Sequence, residues 1–235
     1  MKLQYRPEID GLRAIAIISV VLYHAQIDFF GKDYFVGGYI GVDIFFVISG
    51  YLISRIILSE IRLNTSFNFL NFYERRARRI LPILIIVALV SLIYAINFSS
   101  PSKLIELSQS IIASFGFFSN FYFYLTTSDY GAQSSLLMPF LHTWSLSIEE
   151  QFYLIFPFII LLSLRYAPSK LLSILSVIVL LSILIAQLVE SKKANLNFFF
   201  PLSRFWELFI GSILAYIELY KKKHINFFIK TYFPF

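Results

Sequence analysis

The chain has 235 residues, 58% of them hydrophobic and only 14% charged, with a mean hydropathy of +0.73. Soluble domains are about half apolar and a quarter charged, so this composition excludes an ordinary soluble domain and predicts a polytopic α-helical membrane protein. The net charge of +6 lies mainly in loops beside apolar segments, as the positive-inside bias requires, and no basic patch indicates nucleic-acid binding.

Six apolar segments are candidate membrane spans. They cover residues 11–30, 39–60, 80–98, 143–165, 171–189 and 199–220. The first follows the polar stretch "MKLQYRPEID", which has no small-residue cleavage site. We therefore expect this span to be retained, whereas a signal peptide would be removed.

The segment 103–141 is apolar at 111–125 but also carries Glu106, Gln109 and Asn120. If the N-terminus is cytoplasmic and this segment does not cross, the loops and span ends carry 14 Lys and Arg on the cytoplasmic side and 4 outside. A full crossing changes the division to 11 and 7. The positive-inside rule therefore favours six crossings plus a re-entrant or interfacial segment.

The first apolar segment contains two residues that do not suit a lipid-facing helix. In "DGLRAIAIISVVLYHA", Arg13 and His24 are eleven residues apart, so both lie on one helix face, about 16 Å apart along the axis. This separation excludes a mutual hydrogen bond and suits two contacts to one elongated ligand. Two plainer interpretations stay open: Arg13 extends to the headgroups, and His24 is interfacial. Ionisable groups within a span are nevertheless functional candidates, and imidazole acts as a base near neutral pH.

A cluster of arginines precedes the third apolar segment, in "FYERRARRILP". Its members are Arg75, Arg76, Arg78 and Arg79. Such a cluster on the cytoplasmic side suits anchoring to the membrane surface or to anionic lipid. The alternative is a clamp for a phosphorylated cytoplasmic ligand, because guanidinium binds phosphate bidentately and Arg76 and Arg79 share a helix face.

The segment "GGYIGVDIFFVISGYLI" combines small and polar residues. Asp43 is a candidate partner for an arginine or a histidine, and Ser49 is a second polar group within the span. Gly41 and Gly50 permit close helix packing, and packing alone explains this segment equally well.

Acidic residues also enter two later spans. Glu149 and Glu150, in "HTWSLSIEEQFYLIFP", point about 100° apart, so at least one of them must face a cavity or a partner. Arg204 and Glu207, in "RFWELFIG", are spaced i, i+3 and suit a structural ion pair.

Other catalytic classes lack their motifs. The absence of cysteine excludes disulfides, thiol nucleophiles and cysteine-bound metals, and the absence of HExxH removes another metal signature. His142 has serines nearby but no GxSxG turn, and "GGYIGVD" lacks the Lys-Ser/Thr of a phosphate-binding loop. We expect no bound metal.

Taken together, five segments in order resemble the membrane acyltransferase type 3 family, which contains O-antigen and other surface-polysaccharide O-acetyltransferases. They are "DGLRAIAIISVVLYHA", "GVDIFFVISGYLI", "FYERRARRILP", "HTWSLSIEEQFYL" and "RFWELFIG", and they cover most of residues 5–215. The resemblance, together with the apolar pattern, leads us to expect an all-α polytopic integral membrane protein with about six transmembrane helices. The re-entrant segment after the third span is also a family feature.

The resemblance implies roles for individual residues. The essential catalytic histidine of the family corresponds to His24, which is paired in the motif with Arg13. The family's Arg-x-x-Arg motif, associated with the acyl-CoA donor, matches this chain in two registers: Arg76 with Arg79, or Arg75 with Arg78. Asp43, Ser49, Glu149 and Glu150 are expected to support the site.

The implied function is acyl-CoA-dependent transmembrane O-acyl transfer, with acetyl-CoA as donor substrate and no bound cofactor. The acceptor is a sugar hydroxyl of a cell-surface polysaccharide, such as lipopolysaccharide O-antigen, or of a lipid-linked glycan. His24 removes the hydroxyl proton or first forms an acetyl-histidine intermediate. The implied location is the bacterial inner membrane, with a cytoplasmic N-terminus.

One departure from the family concerns length. Family members have about ten spans, sometimes followed by a soluble SGNH-type domain, so residues 1–235 resemble a single, truncated transmembrane acyltransferase domain. A dimer partner or a second chain would then supply the missing helices. Two alternatives to the enzyme stay open: a transporter or flippase for an anionic lipid-linked substrate, with His24 as proton relay, and an inactive fragment.

Overall fold

The computed structural model describes residues 6–25, 27–29, 32–33, 35–64, 66–127 and 138–232. The helices are α1 (Pro7–His24), α2 (Ile40–Asn64), α3 (Phe69–Phe98), α4 (Pro101–Phe115), α5 (Ser119–Thr127), α6 (Thr143–Tyr166), α7 (Leu171–Glu190), α8 (Ala194–Phe199) and α9 (Pro201–Tyr232). Short 3-10 helices at Val36–Tyr39 and Pro168–Lys170 precede α2 and α7. Two strands, β1 (Asp28–Phe29) and β2 (Lys32–Asp33), pair antiparallel after α1.

Among the described residues, four helical segments are long and apolar enough to cross a membrane: Val36–Asn64, Phe69–Phe98, Thr143–Tyr166 and Pro168–Glu190. They confirm the all-α membrane class and coincide with four of the six predicted spans. The other two, 11–30 and 199–220, fall largely on α1 and α9, in which every 18-residue stretch has three or more charged residues, against a stretch with two or fewer in each of the four spans. Six crossings therefore stay a prediction.

The chain forms two compact units. Unit 1 consists of Met1–Thr65, Ile155–Ile185 and Leu202–Phe235, and unit 2 of Ser66–Leu154 and Ala186–Pro201. In unit 1, α1 and α2 approach closely at Gly41, where a side chain would not fit: a Cβ on this residue would collide with the carbonyl oxygen of Ala16. A Cβ on Gly50 would likewise collide with the backbone of Leu208 in α9. The predicted packing role of both glycines is confirmed.

The helices α2 and α9 run in the same direction. Near their N-terminal ends Asp43 pairs with Arg204, and further along Arg62 donates a hydrogen bond to the carbonyl oxygen of Leu219 at 3.1 Å. Two spans of the same direction are separated by an odd number of crossings. The helices α3, α6 and α7 supply three, so this direction favours a segment between α3 and α6 that returns to its own side.

In unit 2, α4 and α5 form a helical hairpin. The hydroxyl of Tyr122 in α5 donates to the carbonyl oxygen of Glu106 in α4 at 3.1 Å, and Phe117 turns the chain with a φ of 54°. The helices have 15 and 9 residues, about 22 and 13 Å, whereas the hydrocarbon layer is about 30 Å thick. Neither helix spans it alone. Residues 128–137 of the predicted segment lie outside the described residues.

Buried hydrogen bonds hold the tip of this hairpin against α6. The hydroxyls of Ser119 and Ser147 lie 2.7 Å apart, and the amide of Gln151 donates to the carbonyl oxygen of Phe117 at 2.7 Å. Gln151 lies eight residues beyond Thr143, the first residue of α6, which corresponds to about 12 Å. The tip therefore descends along a candidate span, which favours the re-entrant over the interfacial alternative.

Candidate active site

In unit 1, α1 carries Arg13 and His24. The helix is unbroken from Pro7 to His24, which keeps the two residues on the expected common side. Arg13 lies between the buried residues Ile9 and Ala16 on the packed face, and its side chain is 23% exposed. Its Nη1 is 3.6 Å from Asp10 Oδ1, and its buried Nε has no hydrogen-bond partner among the described residues. Arg13 is therefore half-buried beside an acidic partner, and its ligand-binding role stays a prediction.

The side chain of His24 is exposed, and a hydrogen bond to the backbone of the preceding turn determines which ring nitrogen is basic. Nδ1 lies 2.9 Å from the carbonyl oxygen of Val20. A carbonyl oxygen only accepts, so Nδ1 carries the hydrogen in this bond. In the neutral ring Nε2 then has the free lone pair.

The polar residues of α2 make contacts in unit 1. Asp43 pairs with Arg204 of α9, and Arg204 Nη1 also lies 3.2 Å from Glu207 Oε1. The expected pairing of Asp43 with an arginine and the expected Arg204–Glu207 pair are therefore present. Ser49 is buried within α2. The Arg204 side chain is 18% exposed and that of Glu207 0%, so this group also stabilises the packing of α2 and α9.

In unit 2, Arg76 lies beside the middle of a candidate span. Its guanidinium carbon is 3.7 Å from the centroid of the Tyr153 ring, a cation–π contact. Tyr153 is the eleventh of the 24 residues of α6. The buried Nε of Arg76 lacks a hydrogen-bond partner within the described part of the chain. Arg76 is therefore held against an aromatic ring of α6, and anchoring and ligand binding both stay predictions for it.

The arginines of α3 divide between two faces. Arg78 is exposed and binds Glu74, with Nη2 and Oε1 2.7 Å apart. Arg75 is also exposed. Arg79 lines a cavity of about 250 Å³ with apolar residues of α3, with Thr143 and with His142. Arg76 therefore contacts α6 and the exposed Arg79 lines the cavity, whereas Arg75 and Arg78 do neither, and this favours the register Arg76 with Arg79.

The two adjacent glutamates of α6 find different partners, as their divergence predicts. Glu149 is buried, and its Oε2 accepts a hydrogen bond from the Tyr153 hydroxyl at 2.9 Å. Glu150 is attracted by Arg76, and its buried Oε1 has no hydrogen-bond partner among the residues described. Arg76 therefore has the Tyr153 ring on one side and is attracted by the Glu150 carboxylate, while Glu149 binds the Tyr153 hydroxyl.

Comparison with known proteins identifies the family. The acyltransferase domain model matches residues 6–234. This chain belongs to the acyltransferase domain family. It is 34% identical over 218 residues to the O-acetyltransferase OatA of Staphylococcus aureus strain NCTC 8325, which covers 91% of this chain and 35% of that protein. It is 42% identical over 181 residues to the peptidoglycan O-acetyltransferase OatA of Listeria monocytogenes, and this match covers 76% of this chain and 28% of that protein.

The acyltransferase domain described here spans about a third of the length of the relatives it matches. A putative O-acetyltransferase of Staphylococcus aureus strain MSSA476 is 39% identical over 159 residues, which covers 68% of this chain and 25% of that protein. No solved structure matches the chain.

Two contacts in this acyltransferase domain were not predicted from the sequence. The residues Ser147 and Gln151 anchor the hairpin, and their i, i+4 spacing is a signal that the sequence does contain. The second feature is the support of Arg76 by Tyr153, which depends on how two helices distant in sequence pack.

Proposed function

We propose that this chain is the membrane part of an acetyl-CoA-dependent O-acetyltransferase that modifies a cell-surface glycan. His24 in unit 1 is the catalytic base, and Arg76 with Arg79 in unit 2 binds the phosphates of the donor. Arg13 contributes a further positive charge. The observation that carries the proposal is the hydrogen bond from His24 Nδ1 to Val20, because it leaves Nε2 as the basic nitrogen.

The chemistry follows from that nitrogen. Nε2 takes the proton of a sugar hydroxyl as the oxygen attacks the carbonyl carbon of the acetyl thioester. The carbon–sulfur bond then breaks, and the departing thiolate takes the proton from the imidazolium. The products are an acetyl ester and free CoA, and His24 returns to its neutral form. An acetyl group carried briefly on Nε2 is the alternative route through the same atom.

The donor requires phosphate-binding groups, which the arginines of α3 supply. Guanidinium binds phosphate oxygens with two parallel hydrogen bonds. Arg76 carries a buried Nε without a partner in the described structure, and its side chain is held over Tyr153. The Glu150 carboxylate attracts this arginine, and an anionic ligand would compete with that attraction.

The acceptor is inferred from the name of a relative, and the orientation from the distribution of charge. One relative is named a peptidoglycan O-acetyltransferase, and this name favours a cell-wall glycan as acceptor over lipopolysaccharide O-antigen. The distribution of Lys and Arg supports a cytoplasmic N-terminus and a location in the bacterial cytoplasmic membrane. Donor would then enter from the cytoplasm and acceptor from outside.

The test separates an enzyme from a transporter. Proteoliposomes that contain the chain receive acetyl-CoA labelled in the acetyl group and glycan fragments, and both free thiol and labelled glycan are measured. The proposal predicts equal amounts of thiol and labelled ester. Movement of glycan across the bilayer without thiol release would contradict it and support a transporter, and the absence of both would indicate an inactive fragment.

A further inference from the structure

Unit 2 contains a second and larger cavity, of about 950 Å³. Its walls are the C-terminal half of α3 (residues 90–98), the chain from residue 99 to residue 110 with most of α4, and one side of α5 (residues 122–126). This volume is at the upper end of the range of small-molecule sites, about 300–1,000 Å³. None of the residues assigned above to donor binding or proton transfer lines it. The cavity is therefore separate from the residues proposed to bind the donor and to transfer the proton.

The α4 wall presents a row of polar side chains. Lys103, Glu106 and Gln109 follow one another at three-residue spacing and all line the cavity. Neither Lys103 nor Glu106 has a salt-bridge partner in the described part of the chain. One cation and one anion therefore line a single cavity without a salt-bridge partner among the described residues, and the Gln109 amide beside them has its Oε1 3.5 Å from the Tyr122 hydroxyl.

Aromatic residues complete the walls. Tyr94 of α3 and Tyr122 of α5 both line the cavity. The Tyr94 ring packs against that of Phe98 with the centroids 5.1 Å apart, which limits its freedom. Each tyrosine offers an apolar ring face and a polar hydroxyl. The cavity thus alternates aromatic surface with hydrogen-bonding groups.

This combination discriminates between ligand classes. A phosphorylated ligand would be attracted by Lys103 and repelled by Glu106, so the wall has no net positive charge to select it. An acyl chain offers the polar wall no hydrogen-bond partner. A sugar has hydroxyls that both donate and accept, and C–H faces that pack on aromatic rings. We propose that this cavity binds a glycan segment, which, on the function proposed above, is the acetyl acceptor.

The absence of cysteine from the chain permits a direct test. Ser91 lines the cavity, whereas Ser102 is exposed on α4 and does not line it. Ser91→Cys and Ser102→Cys variants of the full chain are placed in phosphatidylcholine nanodiscs and labelled with a maleimide. The probe is chitotetraose, a tetrasaccharide of N-acetylglucosamine. We expect it to slow labelling at position 91 by about tenfold when the cavity is saturated and to leave position 102 unchanged.

Charged wall residues provide a second measurement. Lys103→Ala combined with Glu106→Gln in the Ser91→Cys background should raise the tetrasaccharide concentration for half-protection about tenfold or more. Lys192→Ala, on an exposed lysine outside the cavity, should not change it. Unaltered half-protection in the double variant would overturn the proposal, as would the absence of protection at millimolar tetrasaccharide. Protection by phosphatidylglycerol in the nanodiscs, without protection by tetrasaccharide, would assign the cavity to a lipid headgroup.

This experiment contains no acetyl donor, so it does not depend on catalysis. Protection without acetyl transfer would support the glycan site and contradict the proposed function. Acetyl transfer whose KM for glycan is unaffected by the double variant would support the enzyme and remove the cavity as its acceptor site.

Discussion

Replacing Arg76 by alanine should weaken donor binding strongly, whereas the same change at Arg78 should have little effect. Arg76 is half-buried, stacked on Tyr153 at 3.7 Å, and has a guanidinium nitrogen without a partner in the described structure. A hydrogen bond to a charged group contributes about 1.5–3 kcal/mol, so its loss should raise the KM for acetyl-CoA about 10- to 150-fold. Arg78 loses only an exposed contact with Glu74, which contributes little.

The assay measures initial rates of thiol release against acetyl-CoA concentration in proteoliposomes that contain equal amounts of each variant. Monodisperse size-exclusion profiles in detergent show that the variants are folded. An Arg76→Lys variant refines the result, because lysine retains the charge and loses the planar fork, and it should fall between the parent and Arg76→Ala. Equal increases in KM for Arg76→Ala and Arg78→Ala would refute the register derived from the two faces of α3.

Three further predictions concern stability and topology. Arg204→Ala leaves two acidic side chains without their cation, so thermal unfolding in detergent should show a loss of about 3–5 kcal/mol, and an unchanged midpoint would contradict the buried ion-pair network. Gly211→Ala should destabilise the packing of α2 and α9 by about 1–3 kcal/mol in the same assay, whereas Gly11→Ala, whose Cβ would meet open space, should not. In intact cells an impermeant maleimide should label Ser102→Cys and not Leu63→Cys, and the reverse result would invert the proposed orientation.

Local sequence signals predicted much of the fold. Four of the predicted apolar segments correspond to described helices that are long and apolar enough to cross a membrane. Small residues indicated where helices approach each other closely. The count of Lys and Arg favoured a segment that does not cross between α3 and α6, and the parallel course of α2 and α9 agrees with it. These features are predictable because they depend on length, composition and residue size.

Contacts between distant segments were not predictable. The sequence left two registers open for the arginine pair, and only the packing of α3 against Tyr153 and the cavity beside His142 distinguishes them. The basic nitrogen of His24 was also undetermined, because it depends on a 2.9 Å contact to the carbonyl oxygen of Val20. Both depend on geometry at the scale of single atoms, which periodicity does not specify.

The most direct test of the account is acetyl transfer by the His24→Ala variant. Labelled acetyl-CoA and glycan fragments are supplied to the parent chain, to His24→Ala and to Ile18→Ala, a control at an exposed apolar position on α1. General-base catalysis contributes about 10²–10⁴-fold, so the rate of ester formation should fall by at least a hundredfold in His24→Ala and stay within about twofold in the control. Equal rates of ester formation in His24→Ala and the parent would contradict the assignment of His24 as the catalytic base.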